Sequence, residues 1–489
     1  MKKNHVAEGF GGVDKVVTGE VIIWKDNLLK NPNLIENKII YCKENIPFYQ
    51  AAFLVDNKAK AVLMNEGGKN YHPLILFNDA QVPAVAGIGI VNIEGEIVTV
   101  DSRKGLIYKG EIQLMKKKEI NKIPTTSAKV YANVGCPTAI ELAAKTGADG
   151  IGLLRIEFTA ARTLSKILDA ELFEGVTVKE ELLRTNEADL IYAISKHKEL
   201  IDYLKIDFKD TIKDAMDHFG EKEIIIRTID IARVTNDPMG NRGIRRCIAE
   251  GGQIIKILAE AIKESLEEKR GNHNIGILLP LVSHYSHIKT ALEIILSTGL
   301  TLQNNSNDKL GIRYGWEIEQ PAASQNNELW LEAFKTEYGQ VPDFIGIGTN
   351  DLTQFTIALG RDAYTYEKDL KIKNYLEGLY DESDFSVIKQ IYEVSKQCKK
   401  AGTRVFLLGE AAAKPEYTEL MLSFGIIPSV SVNNVRRVKK LVSELEKRGS
   451  PKEEIIRKYI ENLCDKQYAS IKNHIKPKLW EIFELESYS

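Results

Sequence analysis

After Lys129, short apolar runs alternate with helix-like stretches over roughly 300 residues, a length typical of an eight-fold barrel. A buried parallel strand appears in a sequence as a short apolar run, and strands that alternate with helices form parallel sheets. The pattern therefore predicts an α/β fold, a TIM-like (β/α)8 barrel. The predicted strands span residues 130–134, 150–158, 223–230, 274–282, 311–319, 344–351, 404–410 and 429–432.

Polar side chains stand at the carboxyl ends of five of these runs. In a barrel of parallel strands those ends meet at one mouth, where ligands bind. The residues concerned are Arg155 and Glu157, Arg227 and Asp230, Glu319, Asn350 and Asp351, and Glu410. A salt bridge at the barrel rim explains any single charge as well as a binding site does, and a helix cap explains Asn350 and Asp351. Recurrence on several strands favours a shared site.

The residue types at these ends suit a metal ion and an anion. Glu319 and Asp351 offer carboxylate oxygens, of which Mg²⁺ usually takes one or two in addition to substrate oxygens and water. Arg155, Arg227 and Arg361 can hold a phosphate and a carboxylate through bidentate hydrogen bonds. The set predicts a small, doubly anionic phosphorylated acid as the ligand and Mg²⁺ as the cofactor.

A smaller, β-rich domain precedes the barrel. Short β-type runs alternate with turns between Gly19 and Tyr108, and residues 98–108 read as a hairpin. Between them, His72 and Pro73 open an apolar helical segment, since proline is favoured at the first helical position. The amino end of a helix attracts anions, so His72 is a candidate for carrying a phosphoryl group on its ring nitrogen. The alternative is a histidine that only caps the helix.

Residues 67–87, GGKNYHPLILFNDAQVPAVAG, resemble the mobile phosphohistidine domain of the PEP-utilising enzymes. This family includes PEP synthase, pyruvate phosphate dikinase and enzyme I of the sugar phosphotransferase system. The resemblance implies a swivelling domain in which His72 carries the phosphoryl group between two active sites. Asn70 and Tyr71 replace the family's threonine and its serine or cysteine, and residues 78–79 replace an Arg-Glu pair. The hydroxyl that helps to hold the phosphate is absent, although the Asn70 amide still offers a donor.

Four segments of the predicted barrel resemble the same family. They are GIGLLRIEF at 150–158, IRTIDI at 226–231, EQPAA at 319–323 and IGTNDLTQ at 347–354. A further loop, 237–242, is one residue shorter than its family counterpart, so the match of Arg242 is looser. The resemblance implies binding of PEP or a pyruvate-like acid by Arg155, Arg227, Arg242, Asn350 and Arg361, and of Mg²⁺ by Glu319 and Asp351.

One departure concerns proton transfer. The family's Gly-x-Cys-Gly motif carries the cysteine that protonates enolpyruvate, and Leu408 stands in its place here. A leucine cannot exchange a proton. The leading interpretation is a Mg²⁺-dependent phosphotransferase that moves a phosphoryl group between His72 and PEP, pyruvate or a related acid. The alternatives are a non-catalytic PEP-binding regulatory protein, which Leu408, Asn70 and Tyr71 favour, and an enzyme that acts on an acid other than pyruvate.

The sequence predicts four segments along the chain. They are a mobile phosphohistidine domain at 1–108, a Lys-rich linker at 109–128, a PEP/pyruvate-binding barrel at 129–445 and a helical extension at 446–489. Helical periodicity in the last part indicates packing helices. No ATP-binding half is recognised, so nucleotide binding is expected on a separate ATP-grasp subunit, and the resemblance implies a homodimer.

Charge and composition exclude several classes of protein. A formal net charge of −2 gives no reason to expect a nucleic-acid partner. No apolar run reaches membrane-spanning length, and the first residues lack the apolar core of a signal peptide. The five cysteines are scattered, without metal-ligand spacing, which is typical of reduced thiols. We expect a cytoplasmic protein that acts on a small molecule.

Overall fold

The computed structural model describes residues 4–67, 72–113, 123–169, 198–231, 241–269, 271–303, 308–360 and 369–485. Its strands form two sheets, one of seven strands before residue 110 and one of nine strands after residue 130. The second sheet closes into a parallel barrel, so the predicted fold class, a TIM-like barrel preceded by a smaller β/α unit, is confirmed.

The smaller unit is built on a mixed sheet. Its strands are β1 (His5–Glu8), β2 (Val16–Ile23), β3 (Ile39–Cys42), β4 (Ala61–Met64), β5 (Ala84–Ala86), β6 (Ile97–Asp101) and β7 (Leu106–Lys109), ordered β1-β7-β6-β2-β3-β4-β5. Strands β2 to β5 run parallel, and β6 and β7 form the predicted hairpin. Helices α1 (Phe48–Asp56) and α2 (His72–Asp79) pack on the sheet, and α2 begins at His72 as predicted.

The barrel ring consists of eight parallel strands. They are β8 (Tyr131–Val134), β9 (Ile151–Arg155), β10 (Glu223–Arg227), β11 (Asn274–Leu279), β13 (Gly311–Ile318), β14 (Phe344–Ile347), β15 (Arg404–Leu407) and β16 (Ile427–Ser431). Pairing of β16 with β8 closes the ring, and β11 pairs directly with β13. The short β12 (Thr301–Leu302) lies outside the ring, beside β13.

Helices surround the ring and continue beyond it. In chain order they are α3 (Ile140–Lys145), α4 (Glu157–Asp169), α5 (Lys198–Phe219), α6 (Gly243–Ala249), α7 (Gln253–Glu268), α8 (Tyr285–Leu296), α9 (Pro321–Tyr338), α10 (Thr349–Ile357), α11 (Leu370–Leu379), α12 (Phe385–Ala401), α13 (Pro415–Ser423), α14 (Val435–Arg448), α15 (Lys452–Gln467) and α16 (Lys472–Ile482). Side chains of α14 and α15 are buried in the core that the barrel helices share. These are packing helices, as the periodicity indicates. None of the described helices is long and apolar enough to cross a membrane.

All eight predicted ring strands are present, but several end earlier than predicted. Strand β9 ends at Arg155 and β14 at Ile347, because α4 and α10 begin two residues later, at Glu157 and Thr349. Both helices have an acidic residue in the first turn. A carboxylate there interacts favourably with the positive end of the helix dipole, which explains why these residues leave the strand.

The inside of the barrel is packed with apolar side chains. Along β10, Ile225 points into the barrel, while Ile224 and Ile226 join the layer under the helices. This alternation follows from the two-residue period of a strand. The interior group consists of Tyr131, Leu153, Ile225, Leu278, Phe344, Phe406 and Leu408. The described barrel therefore encloses a core and not a pore, and polar chemistry is confined to its ends.

A buried ion cluster lies at the amino end of the strands, opposite the predicted site. The carboxylate of Glu223 accepts two hydrogen bonds of 2.7 Å from Arg404, one of 2.8 Å from Arg313 and one of 3.2 Å from the Tyr131 hydroxyl. Burial opposes ionisation of Glu223, but the two guanidiniums outweigh it and hold its pKa below the usual range. The cluster ties β8, β10, β13 and β15 together at one end.

We expect Glu223→Gln to lower the free energy of unfolding of the barrel by about 3 kcal/mol at pH 7, because it leaves two guanidiniums without their buried counter-charge. The depressed folded-state pKa stabilises the protein above the carboxyl pKa of the unfolded chain, about 4.3, and this stabilisation is lost as the pH falls through the folded-state pKa. Urea unfolding at pH 7 and pH 4, followed by circular dichroism, measures both effects.

The control is Glu141→Gln, which removes an exposed helix-surface pair with Lys145 and is expected to change little. Equal stability of the Glu223→Gln variant and the wild type at pH 7 would contradict the role of the cluster.

Candidate functional site

Polar side chains from four of the five predicted strand ends meet at the carboxyl mouth of the barrel. Arg155 and Arg227 end the neighbouring strands β9 and β10 and are paired in register. Glu319 follows β13 directly, and Asp351 lies in the first turn of α10. Contacts connect seven charged side chains, which we call the mouth cluster: Glu157, Arg227, Asp230, Arg242, Glu317, Glu319 and Asp351.

Arg227 is surrounded by three carboxylates. Its Nη2 donates to Glu157 Oε1 at 2.7 Å, and its Nη1 lies 3.8 Å from Asp230 Oδ2 and 3.7 Å from Glu317 Oε2. Burial opposes the charge of the guanidinium, but the carboxylates outweigh it and raise the pKa of Arg227. Its Nε is buried without a hydrogen-bond partner among the described residues. This predicted substrate-binding residue is thus permanently charged and keeps one unused donor.

Arg242 joins the two sides of the mouth cluster. It directly precedes helix α6 and donates from Nε and Nη2 to the two oxygens of Asp230, at 2.9 and 2.6 Å. Its Nη1 donates to Asp351 Oδ1 at 3.1 Å, and Gln354 donates to the same oxygen at 2.6 Å. Bidentate pairs of this kind are strong and fix geometry. The structure therefore brings the predicted Arg242 and Asp351 into direct contact.

Glu317 and Glu319 form a pair of buried carboxyl groups. Their residues are only 1% and 3% exposed, and the two side chains hydrogen bond to each other. The Leu281 N–H also donates to Glu319 Oε2 at 2.8 Å. Burial raises the pKa of Glu317 to about 7, while Arg227 acts in the opposite direction. Burial and the neighbouring carboxylates of Glu317 and Asp351 raise the pKa of Glu319 well above its ordinary value. Near neutral pH the pair shares a proton.

The mouth cluster is rich in negative charge. Its five carboxyl groups outnumber its two guanidiniums, and one oxygen each of Glu157 and Glu317 is buried without a hydrogen-bond partner among the described residues. The described part of the chain contains no group of three or more histidine, cysteine or acidic side chains spaced to hold a metal ion. Mg²⁺, however, needs only one or two carboxylates when substrate and water complete its shell. The donor types of Glu319 and Asp351, in surroundings with excess carboxylate, fit that ion.

Two further predicted residues lie beside the cluster. Arg155 is half-buried, and its Nη1 lies 3.4 Å from Oδ2 of Asp79, the last residue of α2. Asn350 lies in the first turn of α10, where its carbonyl oxygen accepts a hydrogen bond of 2.7 Å from the Tyr380 hydroxyl. The N-cap of that helix is Gly348, which has no side chain. The alternative in which Asn350 and Asp351 serve only as the helix cap is therefore wrong.

Two predicted residues fall partly or wholly outside the described part of the chain. Arg361 begins the gap at 361–368. His72 opens helix α2, but its side chain and residues 68–71 before it are not described. The roles of both residues stay predictions.

Leu408, which replaces the family cysteine, is buried inside the barrel. It is 5% exposed and packs in the interior group with Phe344 and Phe406. Its carbonyl oxygen accepts a hydrogen bond of 2.9 Å from the Asn133 amide. The position contributes apolar packing and no exchangeable proton.

The sequence analysis missed two contributors to the mouth. Glu317 lies two residues before Glu319, and residues two apart share one side of a strand, so the acidic-apolar alternation in β13 was a usable signal. Glu382 is buried and accepts hydrogen bonds from Thr349 Oγ1 at 2.7 Å and Lys414 Nζ at 2.9 Å, which fixes the start of α10. Its partners lie 33 residues before it and 32 residues after it, so no local pattern could have indicated it.

Two family models match the chain in succession. The model described as the mobile domain of PEP-utilising enzymes matches residues 35–105, and the one described as their PEP-binding domain matches residues 109–447. The chain belongs to the PEP-utilising enzymes. The first match covers strands β3 to β6 of the smaller sheet, and the second covers the barrel and the mouth cluster.

Curated relatives agree with this membership. A probable phosphoenolpyruvate synthase of Archaeoglobus fulgidus is 33% identical over 411 residues, which cover 80% of this chain and 48% of the relative. The phosphoenolpyruvate synthase of Pyrococcus furiosus is 28% identical over 467 residues, covering 89% of this chain and 48% of the relative. A phosphoenolpyruvate-protein phosphotransferase of Staphylococcus aureus is 24% identical over 445 residues, covering 86% and 69%. The chain spans about half the length of the synthases that it matches.

Solved structures are more distant. A pyruvate kinase of Cryptosporidium parvum in complex with ADP aligns with 9% identity and a TM-score of 0.35, covering 71% of this chain and 72% of that one. A likeness of this size says nothing about function.

Gly348 leaves room for the Glu319 carboxylate. A β-carbon at this glycine would lie 2.6 Å from Glu319 Oε1, although its φ of −89° is open to any residue. We expect Gly348→Ala to displace the carboxylate and to lower the free energy of unfolding by about 1–3 kcal/mol through overpacking. Thermal unfolding measures this beside Gly378→Ala, where an added β-carbon meets nothing within 4 Å. Equal stability of the two variants would contradict the tight contact.

Proposed function

We propose that this chain transfers a phosphoryl group between His72 and a PEP-like acid bound at the barrel mouth. The observation that carries the proposal is the mouth cluster, where a buried guanidinium with an unused donor stands among carboxyl groups that outnumber the cations. A phosphate is complementary to the guanidinium with its unused donor, and Mg²⁺ is complementary to the excess of carboxyl groups. Membership in the PEP-utilising enzymes and similarity to proteins described as PEP synthases support the same chemistry.

Each side chain has a defined task in this proposal. The substrate-binding residues are Arg155, Arg227, Arg242, Asn350 and Arg361. Arg227 offers its unused Nε to an anionic oxygen, and Arg242 keeps Asp230 and Asp351 in place. When bound by Glu319 and Asp351, Mg²⁺ supplies the charge neutralisation that phosphoryl transfer requires.

The transfer itself exchanges one bond to phosphorus for another. A ring nitrogen of neutral His72 attacks the phosphorus in line, the N–P bond forms, and the bond from phosphorus to the bridging oxygen breaks. The electron pair leaves with that oxygen as the enolate of pyruvate. The enolate then needs a proton on carbon, and Leu408 offers none, so water supplies it after the transfer.

Incubation with ³²P-labelled PEP and Mg²⁺ is expected to label the wild-type protein, with a label that is acid-labile and stable in base, as a phosphohistidine is. His72→Ala removes the nucleophile and is expected to abolish the label. His218→Ala, which changes a partly exposed histidine on α5, is the matched control and should be labelled as the wild type is. Label on the His72→Ala variant, or none on a wild-type protein that binds PEP, would contradict the transfer.

Divalent-cation binding is tested with Mn²⁺ in place of Mg²⁺, because free Mn²⁺ gives an electron paramagnetic resonance signal that bound Mn²⁺ loses. We expect Glu319→Gln and Asp351→Asn each to weaken binding about tenfold or more, since each replaces a carboxyl oxygen ligand by an amide, which cannot become an anionic ligand when the metal ion binds. Glu223→Gln is the matched control, a buried carboxylate at the opposite end of the barrel, measured at a temperature where circular dichroism shows it folded. Unchanged Mn²⁺ affinity in both mouth variants would exclude this metal site.

Leu408 favours a second candidate, a PEP-binding regulatory protein without turnover. Its place in the apolar interior removes the proton donor that a rapid PEP–pyruvate interconversion needs. Such a protein would bind PEP in a calorimeter and show no label on His72. The third interpretation, an enzyme for another acid, would give label only with a different phosphorylated acid. The labelling experiment separates the three.

The wider context remains as the sequence predicts it. A separate ATP-grasp nucleotide-binding subunit, a homodimer and a cytoplasmic location are expectations that the contacts in this chain do not address. The labelling experiment comes before any test of these expectations, because a partner that accepts the phosphoryl group can exist only if His72 carries a phosphoryl group.

A further inference from the structure

Two ion pairs and an apolar contact join the smaller unit to the barrel within the described parts of the chain. Asp79, at the end of α2, lies 3.4 Å from Arg155, and Asp56, at the end of α1, lies 2.7 Å from Nε of Arg162 in α4. Phe158 and Ala161 of α4 are buried in the apolar core of the smaller unit. In both pairs the smaller unit supplies the carboxylate and the barrel supplies the guanidinium.

A glycine of the barrel makes room for Asp79. A β-carbon on Gly135, which directly follows β8, would lie 1.8 Å from Asp79 Oδ2 and 2.7 Å from its Cγ. The Asp79 side chain is only 16% exposed in this notch. The carboxylate is thus seated against the barrel and holds Arg155, a residue at the mouth.

We propose that Asp79 and the anionic substrate compete for Arg155, so that binding of the acid at the mouth loosens the contact between the smaller unit and the barrel. This rests on the proposed function, because it takes Arg155 as a ligand of the substrate. A guanidinium that turns to a bound phosphate or carboxylate withdraws from Asp79. The mostly buried Asp79 then loses this cation, which weakens one of the two ion pairs described between the smaller unit and the barrel.

The competition acts both ways, from the bound acid to the contact between the units and from that contact to the binding of the acid. Since binding of the acid weakens the contact between the units, linkage requires that a change that weakens the contact strengthens binding of the acid, by at most the same factor. Helix α2 begins with His72 and ends with Asp79. The helix that carries the proposed phosphoryl acceptor is therefore the one that the incoming acid releases from Arg155.

Calorimetric titration with PEP in the presence of Mg²⁺ tests the competition in the full chain. Asp79→Asn removes the competing charge and is expected to tighten PEP binding about three- to tenfold. Gly135→Ala keeps the charge but fills the notch, and it is expected to tighten binding in the same direction. Its φ is not in the left-handed region, so the added methyl group strains only the contact with Asp79.

Arg162→Gln separates linkage from simple electrostatics. It removes a positive charge, so a charge effect alone would weaken binding of an anion. It also breaks the second ion pair between the units, so linkage tightens PEP binding. The two explanations predict opposite signs, and we expect tighter binding.

Hydrogen exchange supplies a readout of the contact itself. Addition of PEP to the wild-type protein is expected to speed amide exchange across residues 157–164, at the start of α4, and to leave residues 253–268, in α7, unchanged. The Asp79→Asn variant is expected to show the faster exchange without PEP.

The outcomes are distinct. Tighter binding in all three variants, with faster exchange at α4, supports the competition. If PEP binds the wild type but affinity changes in Asp79→Asn alone, or α4 exchange does not respond, the competition is overturned while the proposed function stands. If PEP binds neither the wild type nor any variant, the proposed function fails and the competition with it.

Discussion

The charge of Arg227 is the interaction on which the barrel mouth depends. A guanidinium buried among Glu157, Asp230 and Glu317 is the counter-charge that lets so many carboxyl groups leave water together. One cation cannot neutralise them all, and the remainder is met by Arg242 and by a proton shared between Glu317 and Glu319. The mouth therefore contains buried charged groups whose hydrogen-bonding capacity is not fully used. In such surroundings an added cation or an added anion forms strong interactions.

The architecture of the barrel was predictable because its strands are buried on both faces. Such strands appear as short apolar runs, which can be recognised in a single sequence, and all eight predicted strands are present in the ring. Strand ends were less predictable, since Glu157 and Asp351 are as compatible with the first turn of a helix as with the end of a strand. The favourable interaction of each carboxylate with the positive end of a helix dipole decided between them.

The site was predictable only in part, for a related reason. Arg155, Arg227, Glu319 and Asp351 stand at strand ends, where topology alone brings them together. Glu382 and Asp79 reach the mouth from a loop and from a helix of the smaller unit, through contacts that span 33 and 76 residues. No spacing in the sequence indicates such pairs, because they depend on how distant segments of the chain pack against each other. They can be identified only from the three-dimensional structure.

The position of the Glu223 cluster has a consequence for how such a protein changes over time. The ion cluster that ties four strands together lies at the amino end of the barrel, with the apolar interior between it and the mouth. The ion pairs that join the strands and the charged groups of the mouth thus lie at opposite ends of the same strands. A substitution among the charged residues of the mouth can therefore leave the contacts at the amino end of the barrel intact. This separation lets the barrel persist while the charged groups at its other end change.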